Sequence, residues 1–103
     1  MAAGGEAKDV RSLEPAEAWR RVQAGELRIL DLRTAAERRR LGAPPGSEHV
    51  SLLRHVADPE GAGVVYLCQH AVRSKLTLRN GAAEVAGGFK AWSDAGLPVE
   101  RPA

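Results

Sequence analysis

The stretch VVYLCQHAVRS, residues 64–74, decides the fold that we predict for this chain of 103 residues. The apolar run GVVYLC around its start is short, unbroken and rich in β-branched residues. Such a run is typical of a strand that is covered on both faces of a parallel sheet. The strand leads into Cys68, the only cysteine of the chain, and a short loop then reaches Arg73 and Ser74.

The segments on either side of this strand alternate between helical and extended patterns. Pro15 near the start and Gly25 at the end delimit a first helix, and a capping box of Thr34 and Glu37 opens a second. The predicted helices cover residues 12–25, 34–42, 74–80 and 88–96, and the predicted strands cover residues 27–32, residues 63–68 and part of 82–88. Residues 50–56, VSLLRHV, are compatible with either a strand or a short helix.

This alternation predicts an α/β fold in which a small parallel sheet is flanked by helices on both faces. We expect residues 1–8 to form a flexible N-terminal leader and residues 9–103 to form a single domain. No stretch approaches the roughly 20 apolar residues of a membrane span, and the start of the sequence lacks the apolar core of a signal peptide. The sequence therefore predicts a cytoplasmic protein with no membrane partner.

The composition excludes several classes of function. A single cysteine excludes an internal disulfide and a cysteine-rich zinc site. His49, His55 and His70 lack the spacing of metal ligands, so we expect no metal. We also expect no cofactor. The formal net charge of +2 and the four aromatic residues fall short of a nucleic-acid-binding signature, so we expect no nucleic-acid partner.

The loop that follows Cys68 has the composition of an anion-binding site. In parallel sheets, ligands bind beyond the carboxyl ends of the strands, where Cys68 lies. Peptide N–H groups turned inward form a concavity for an anion, the helix predicted from Ser74 adds the positive end of its dipole, and Arg73 adds a cation. A thiol in such a field loses its proton more easily than a free cysteine does, and the thiolate is a nucleophile.

The order and spacing of several motifs resemble those of the rhodanese-like domain family, the single-domain sulfurtransferases. The loop CQHAVRS (residues 68–74) is similar to the family's active-site loop, with four residues between Cys and Arg. LDLR (30–33) resembles its Asp-x-Arg element, and Glu37 falls where the family usually has an acidic residue. GAPPGS (42–47) resembles its Gly-His-Ile-Pro-Gly-Ala stretch, and GGFKAW (87–92) its Gly-Gly-x-x-Ala-Trp signature.

Some positions depart from the family pattern. Ala43 and Pro44 replace the usual His and Ile, and Ala71 stands where the family often has glycine. A residue with a Cβ tolerates fewer backbone conformations than glycine does. The segment between Ser74 and Gly81 is also about one helical turn shorter than in the family, so the resemblance indicates a trimmed version of the fold.

The resemblance implies transfer of sulfane sulfur through a persulfide on Cys68. The donor would be thiosulfate or a similar small anion, and the acceptor would be cyanide or a thiol, with a sulfur-relay protein as a further candidate partner. Cys68 and Arg73 would be the catalytic residues, and the active-site loop would bind the substrate. The implied substrate-binding residues are Gln69, His70, Ala71, Val72 and Ser74.

The sequence leaves three alternatives open. Phosphatase or arsenate reductase chemistry uses a similar loop, but with one residue more between Cys and Arg, because a tetrahedral phosphate needs a wider cradle than a sulfur atom. A persulfide carrier or a redox-sensing domain would keep the thiol without steady-state turnover. An inert Cys68 would simply be a small residue of the core.

Other charged residues of this region are interpreted as structural. Asp31, at a strand end, orders the backbone or pairs with an arginine, and Glu37 is the capping partner of Thr34. The run RRR, residues 38–40, is expected to form a solvated helix face.

Overall fold

The computed structural model describes residues 11–102, and five strands within them form one sheet. The strands are β1 (Ser12–Leu13), β2 (Arg28–Asp31), β3 (Glu48–His49), β4 (Val64–Leu67) and β5 (Ala83–Val85). Neighbouring strands pair in parallel, in the order β1-β5-β4-β2-β3. The leader predicted for residues 1–8 lies outside the described residues.

In the described residues, three α-helices and one 3-10 helix connect the strands, and a fourth α-helix follows β5. The α-helices are α1 (Pro15–Gln23), α2 (Ala35–Leu41), α3 (Leu52–Ala57) and α4 (Gly88–Asp94), and the 3-10 helix is Arg73–Thr77. The predicted capping box is present at the start of α2, where Thr34 and Glu37 each accept the other's backbone N–H. Within residues 11–102, no helix combines the length and the apolar composition needed to cross a membrane.

The sheet buries side chains on both faces, because successive residues of a strand point in opposite directions. On one face, Ile29 and Val65 pack in a cluster with Phe89 and Trp92 of α4. The core of the other face consists of Leu30, Leu32, Val64, Tyr66 and Ala82, with Leu52 of α3 packed against it. The predicted α/β fold with a small parallel sheet between two helical layers is confirmed.

Two tryptophans join α1 to α4 on the first face. The rings of Trp19 and Trp92 meet edge to face, with their centroids 5.6 Å apart. This is a favoured geometry for aromatic pairs. Trp92 is fully buried, and its indole N–H donates to the carbonyl of Pro98 at 2.8 Å. The two helices therefore pack as one layer.

The predicted boundaries are wrong where edge strands are short. Ser12–Leu13, predicted as the start of a helix, forms β1 because its backbone pairs with β5, and α1 begins at Pro15. Strand β3 lies between the predicted helix of residues 34–42 and the segment of residues 50–56, where no strand was predicted. The segment left open between strand and helix is helical, and the Ser51 hydroxyl caps it by accepting the Arg54 N–H.

The helix predicted over residues 74–80 is instead the shorter 3-10 helix. The Thr77 hydroxyl donates to the carbonyl of Ser74 at 2.6 Å, and the side-chain amide of Asn80 donates to the carbonyl of Pro59 at 2.8 Å. Such side-chain bonds to the backbone compete with a regular helical ladder. A 3-10 helix of five residues carries little of the helix dipole that we expected beside Cys68.

A buried polar pair closes the second face of the sheet. The Tyr66 hydroxyl accepts the N–H of Glu60 at 2.8 Å and lies 2.6 Å from Nδ1 of His55. Burial raises the pKa of Tyr66, so the hydroxyl is neutral at physiological pH. This one hydroxyl therefore bonds to the buried His55 ring and to the backbone N–H of Glu60.

We expect Tyr66→Phe to lower the free energy of unfolding by about 1–3 kcal/mol, because it leaves the His55 ring nitrogen and the Glu60 N–H without their partner. Urea unfolding followed by circular dichroism measures the change. The double variant Tyr66→Phe/His55→Phe should recover part of the loss, since one of the orphaned groups is then removed. Equal losses in the single and double variants would contradict this assignment.

Ala71, in the loop after β4, has an unusual backbone conformation. It is the one non-glycine residue with a positive φ, +60°, in the part of the chain that the structure describes. The left-handed region is unfavourable for residues with a Cβ. This conformation accounts for the glycine that the rhodanese-like family often has at this position.

We expect Ala71→Gly to change the free energy of unfolding by less than about 1 kcal/mol, because relief of backbone strain offsets the lost methyl contacts. Ala71→Val should lower it by about 2 kcal/mol or more, since a β-branched side chain is strained at positive φ. Thermal unfolding compares the two variants. Similar losses in both would mean that packing of the methyl group, rather than backbone conformation, governs this position.

Candidate active site

Cys68 directly follows β4, at the carboxyl end of the parallel sheet. Only 1% of the residue is exposed. The N–H of Ser74 donates to its sulfur, with the N and S atoms 3.4 Å apart. Among the loop's peptide N–H groups, that of Ser74 is the one bonded to the sulfur in the described structure. We predicted a concavity of several peptide N–H groups around the thiol. The structure instead gives the sulfur a single backbone donor.

The first turn of α4, which begins at Gly88, holds the start of the loop. The N–H groups of Phe89 and Lys90 donate to the carbonyls of Cys68 and Gln69, at 2.8 and 3.1 Å. Gly88 has a φ of +68°, and a Cβ on it would lie 2.5 Å from the Cys68 carbonyl oxygen. No side chain fits there, which gives the physical reason for the second glycine of the Gly-Gly pair in the sequence.

Arg73 is held by a carboxylate from α2. Its two Nη atoms donate to the two carboxylate oxygens of Glu37, at 3.0 and 2.9 Å. The Arg73 guanidinium lowers the pKa of Glu37 to about 2. The pKa of Arg73 is raised, mainly by its bonds to Glu37 and to a smaller extent by the nearby Cys68 sulfur. The interpretation of Glu37 as a capping partner therefore captured only one of its two roles.

This ion pair stabilises the fold at neutral pH. A carboxylate whose pKa is lowered on folding contributes stability above its unfolded pKa and loses it as the pH falls through the folded value. The stabilisation from Glu37 is therefore complete above about pH 4.5 and is lost as the pH falls towards 2. At neutral pH the Arg73 guanidinium is fixed beside Cys68 by this partner.

Arg33 connects the loop to the end of β2. The fully buried Arg33 forms an ion pair with the fully buried Asp31, with Nη2 and Oδ2 2.8 Å apart. Its guanidinium also donates to the side chain of Gln69 at 3.1 Å and to the carbonyl of Gly42 at 2.8 Å, and it lies 4.2 Å from the centroid of the Phe89 ring. The Asp-x-Arg element of the sequence thus holds the loop after β4 in position, since Arg33 bonds to both Asp31 and Gln69.

The expectation of a solvated face for residues 38–40 is wrong for the first arginine. Arg38 is buried, its Nε donates to Asp31 at 3.1 Å, and its Nη2 donates to the hydroxyl of Ser47 at 3.0 Å. Arg39 and Arg40 are exposed, as expected. Arg38 differs from its neighbours because its side chain reaches Oδ2 of Asp31, the oxygen that Arg33 also contacts.

Glu84 is a component of the site that the sequence reasoning missed. It is buried in β5, where it accepts the Ser74 hydroxyl proton at 2.7 Å and pairs with the ammonium group of Lys75. The Ser74 oxygen in turn lies 3.6 Å from the Cys68 sulfur. A carboxylate within the predicted buried strand was the available signal, because a buried carboxylate requires partners.

The remaining residues of the predicted loop differ in how deeply they are buried. His70 and Val72 are exposed, Gln69 is partly buried and bonds to Arg33, and Ala71 is buried. Within residues 11–102, no group of three or more His, Cys, Asp or Glu side chains is arranged to hold a metal ion. The structure therefore brings together one thiol, one backbone donor and a nearby guanidinium, which suits nucleophilic chemistry at sulfur.

Comparison with known proteins gives matches among solved structures. No family model and no curated protein sequence matches the chain. A protein of unknown function from Rhodopseudomonas palustris, described as a possible tyrosine phosphatase, is 30% identical over 93% of this chain and 89% of that chain, with a TM-score of 0.74. A rhodanese-related protein from Thermoplasma volcanium is 21% identical over 86% of this chain and 96% of that chain, with a TM-score of 0.72.

A thiosulfate sulfurtransferase from Pseudomonas aeruginosa also matches. It is 20% identical over 89% of this chain, with a TM-score of 0.74, and the match covers 19% of that longer chain. The structural likeness in all three comparisons extends over most of the present sheet and its helices. The chain therefore has the fold of rhodanese-like domain proteins.

Proposed function

We propose that this domain is a sulfurtransferase that moves sulfane sulfur from thiosulfate or a similar donor to cyanide or a thiol, through a persulfide on Cys68. The observation that supports this proposal most is the position of the single cysteine. Cys68 ends the central strand of a rhodanese-like fold, accepts a backbone N–H and lies beside an arginine. The proposed setting is the cytoplasm, with no cofactor.

The proposed reaction is a double displacement at sulfur. The Cys68 thiolate attacks the terminal sulfur of thiosulfate, the S–S bond of the donor breaks, and sulfite leaves with the electron pair. Cyanide then attacks the outer sulfur of the persulfide, which releases thiocyanate and regenerates the thiolate. Each step forms one bond to sulfur and breaks one, so a single cysteine suffices.

The loop residues have distinct proposed roles. Arg73 offers positive charge to the anionic donor and the leaving sulfite, and Ser74 stabilises the sulfur through its N–H. The amides of His70, Ala71 and Val72 would bind the donor or the outer sulfur. The side chain of Gln69 keeps the loop attached to Arg33.

Intact mass spectrometry after thiosulfate treatment tests the persulfide. We expect the protein to gain the mass of one sulfur atom and to lose it again on addition of cyanide. Cys68→Ser should gain nothing, because its hydroxyl is a poor nucleophile at neutral pH. Uptake of sulfur in Cys68→Ser would contradict the proposal.

Steady-state assay with thiosulfate and cyanide distinguishes an enzyme from a carrier. Repeated turnover is expected of a sulfurtransferase, whereas a persulfide carrier or redox-sensing domain would be labelled once and would then need a specific partner. Protein that takes up a single sulfur but does not turn over would therefore favour the carrier role.

Phosphatase chemistry is a second candidate, supported by the description of the Rhodopseudomonas palustris protein. The loop of the present chain has four residues between Cys68 and Arg73, and this smaller ring suits a sulfur atom better than a tetrahedral phosphate. An aryl phosphate assayed beside thiosulfate separates the two. Turnover of the phosphate ester alone would overturn the sulfurtransferase proposal.

We expect Arg73→Ala to slow sulfur uptake from thiosulfate about hundredfold, a loss comparable to removal of one charge-stabilising donor. The same change should also destabilise the fold, because it leaves the Glu37 carboxylate unpaired. Stopped-flow measurement of persulfide formation and thermal unfolding give the two effects separately.

The double variant Arg73→Ala/Glu37→Gln is the matched control. It removes the unpaired charge, so it should recover stability while sulfur uptake stays slow. Recovery of both stability and uptake would show that Arg73 is only a brace for the loop.

A further inference from the structure

Glu84 is a buried carboxylate that the proposed sulfur transfer does not use. Only 1% of it is exposed, and its register neighbour on β4 is Tyr66. Its Oε1 accepts the Ser74 hydroxyl at 2.7 Å, and its Oε2 pairs with the Lys75 ammonium group. Because a buried carboxylate without partners is strongly unfavourable, these two bonds account for its place in the core. The first of these bonds also connects Glu84 to the Cys68 sulfur, with only the Ser74 hydroxyl between them.

The hydroxyl of Ser74 links Glu84 to Cys68. A hydroxyl has one proton, and Ser74 gives it to Glu84, since a carboxylate can only accept. The Ser74 oxygen lies 3.6 Å from the sulfur, so towards Cys68 it acts as an acceptor of the thiol proton. This bond favours the neutral thiol, whereas the backbone N–H of Ser74 favours the thiolate.

We propose that Glu84 is a positioning residue that, through the Ser74 hydroxyl and together with Lys75, sets the pH at which Cys68 ionises. Glu84 orients the hydroxyl as an acceptor and places a negative charge two hydrogen bonds from the sulfur, and both effects favour the thiol. Lys75 opposes them by neutralising the carboxylate.

In this proposal, ionisation of Cys68 is accompanied by a rotation of the Ser74 hydroxyl. When the S–H bond of Cys68 breaks, the electron pair stays on the sulfur and the proton passes to a solvent base. The Ser74 hydroxyl can turn its proton from Glu84 towards the thiolate, while Lys75 keeps its bond to the carboxylate. The hydroxyl thus changes from an acceptor to a donor as the nucleophile forms.

The other charged and titratable groups around this unit have partners of their own. Arg73, on the 3-10 helix near the sulfur, is bonded through both Nη atoms to Glu37 of α2. Tyr66 and His55, on the same sheet face as Glu84, are bonded to each other. Neither Glu84 nor Lys75 is bonded to a member of these pairs, so we expect a changed ionisation of Cys68 in their variants to report on the Glu84–Lys75 pair.

The pH profile of Cys68 alkylation by iodoacetamide tests the proposal. Glu84→Gln keeps the shape and an acceptor for Ser74 but removes the charge. We expect the midpoint of the profile to fall by about one pH unit, so that alkylation well below the midpoint is about tenfold faster. Lys75→Gln should move the midpoint upwards. General loosening of the fold would instead speed alkylation in both variants without opposite shifts.

The Ser74→Ala background tests the route through the hydroxyl. We expect Glu84→Gln to shift the midpoint less than half as far there as in the native chain, since only the direct field of the carboxylate remains. An undiminished shift would overturn the role of the hydroxyl.

Lys90→Gln is the matched control for the lysine. Lys90 is 60% exposed and ion-paired with Asp94, as Lys75 is 61% exposed and paired with Glu84, and its substitution should leave the midpoint unchanged. If Glu84→Gln fails to fold, the exposed Lys75 still supplies the test. An unmoved midpoint in Lys75→Gln, or shifts of the same sign in both variants, would overturn the proposal.

The role of this inference in catalysis rests on the proposed function. The alkylation test itself needs no sulfur donor. Shifted midpoints in a protein that takes up no sulfur would remove the sulfurtransferase proposal and keep the positioning role. Normal sulfur uptake with unmoved midpoints would keep the sulfurtransferase proposal and remove the positioning role of Glu84.

Discussion

The buried ion pair between Asp31 and Arg33 is the interaction on which the rest of the site depends. Removing two charges from water is costly unless their polar atoms find good partners. Here the guanidinium also bonds to Gln69 and to the Gly42 carbonyl, and it covers the ring of Phe89. Those contacts reach the loop after β4, the end of α2 and the start of α4, so this one side chain holds together the segments that surround the thiol.

Charge near the thiol is organised in matched pairs. Glu37 with Arg73 and Glu84 with Lys75 stand on two sides of the loop, and each carboxylate comes from a regular element while each cation comes from the 3-10 helix. Because the formal charges of these pairs cancel, the field at the sulfur depends on the distances within them rather than on net charge. Loss of either member therefore acts through the partner that it leaves behind.

Much of the fold was predictable because its signals are local. Strand β4, the capping box of Thr34 and Glu37, and the position of Cys68 at a strand end each depend on a few consecutive residues, and the structure contains them. Strands β1 and β3 are two residues long, and their pairing comes from tertiary contacts that no local pattern carries. The 3-10 helix is shorter than predicted, and a bond to a distant carbonyl, that of Asn80 to Pro59, holds the chain that follows it.

The electrostatic partners of the candidate site were harder to predict than the position of its cysteine. Arg38 lies in a run of three arginines that looks uniform in the sequence, yet only this one reaches Asp31. Glu84 was noticeable as a carboxylate in an apolar strand, but its bonds to Ser74 and Lys75 depend on how the loop returns over the sheet. A sequence shows which charges need partners, and only the fold shows which partners they find.

The contact between Trp19 and Trp92 gives the protein an internal optical probe. These are the two tryptophans of the chain, and α4, which carries one of them, also donates the backbone bonds that hold the carbonyls of Cys68 and Gln69. A change in bonding at the sulfur that moves this helix would alter the angle between the two indoles. The near-ultraviolet circular dichroism of the unlabelled protein would then follow the state of Cys68.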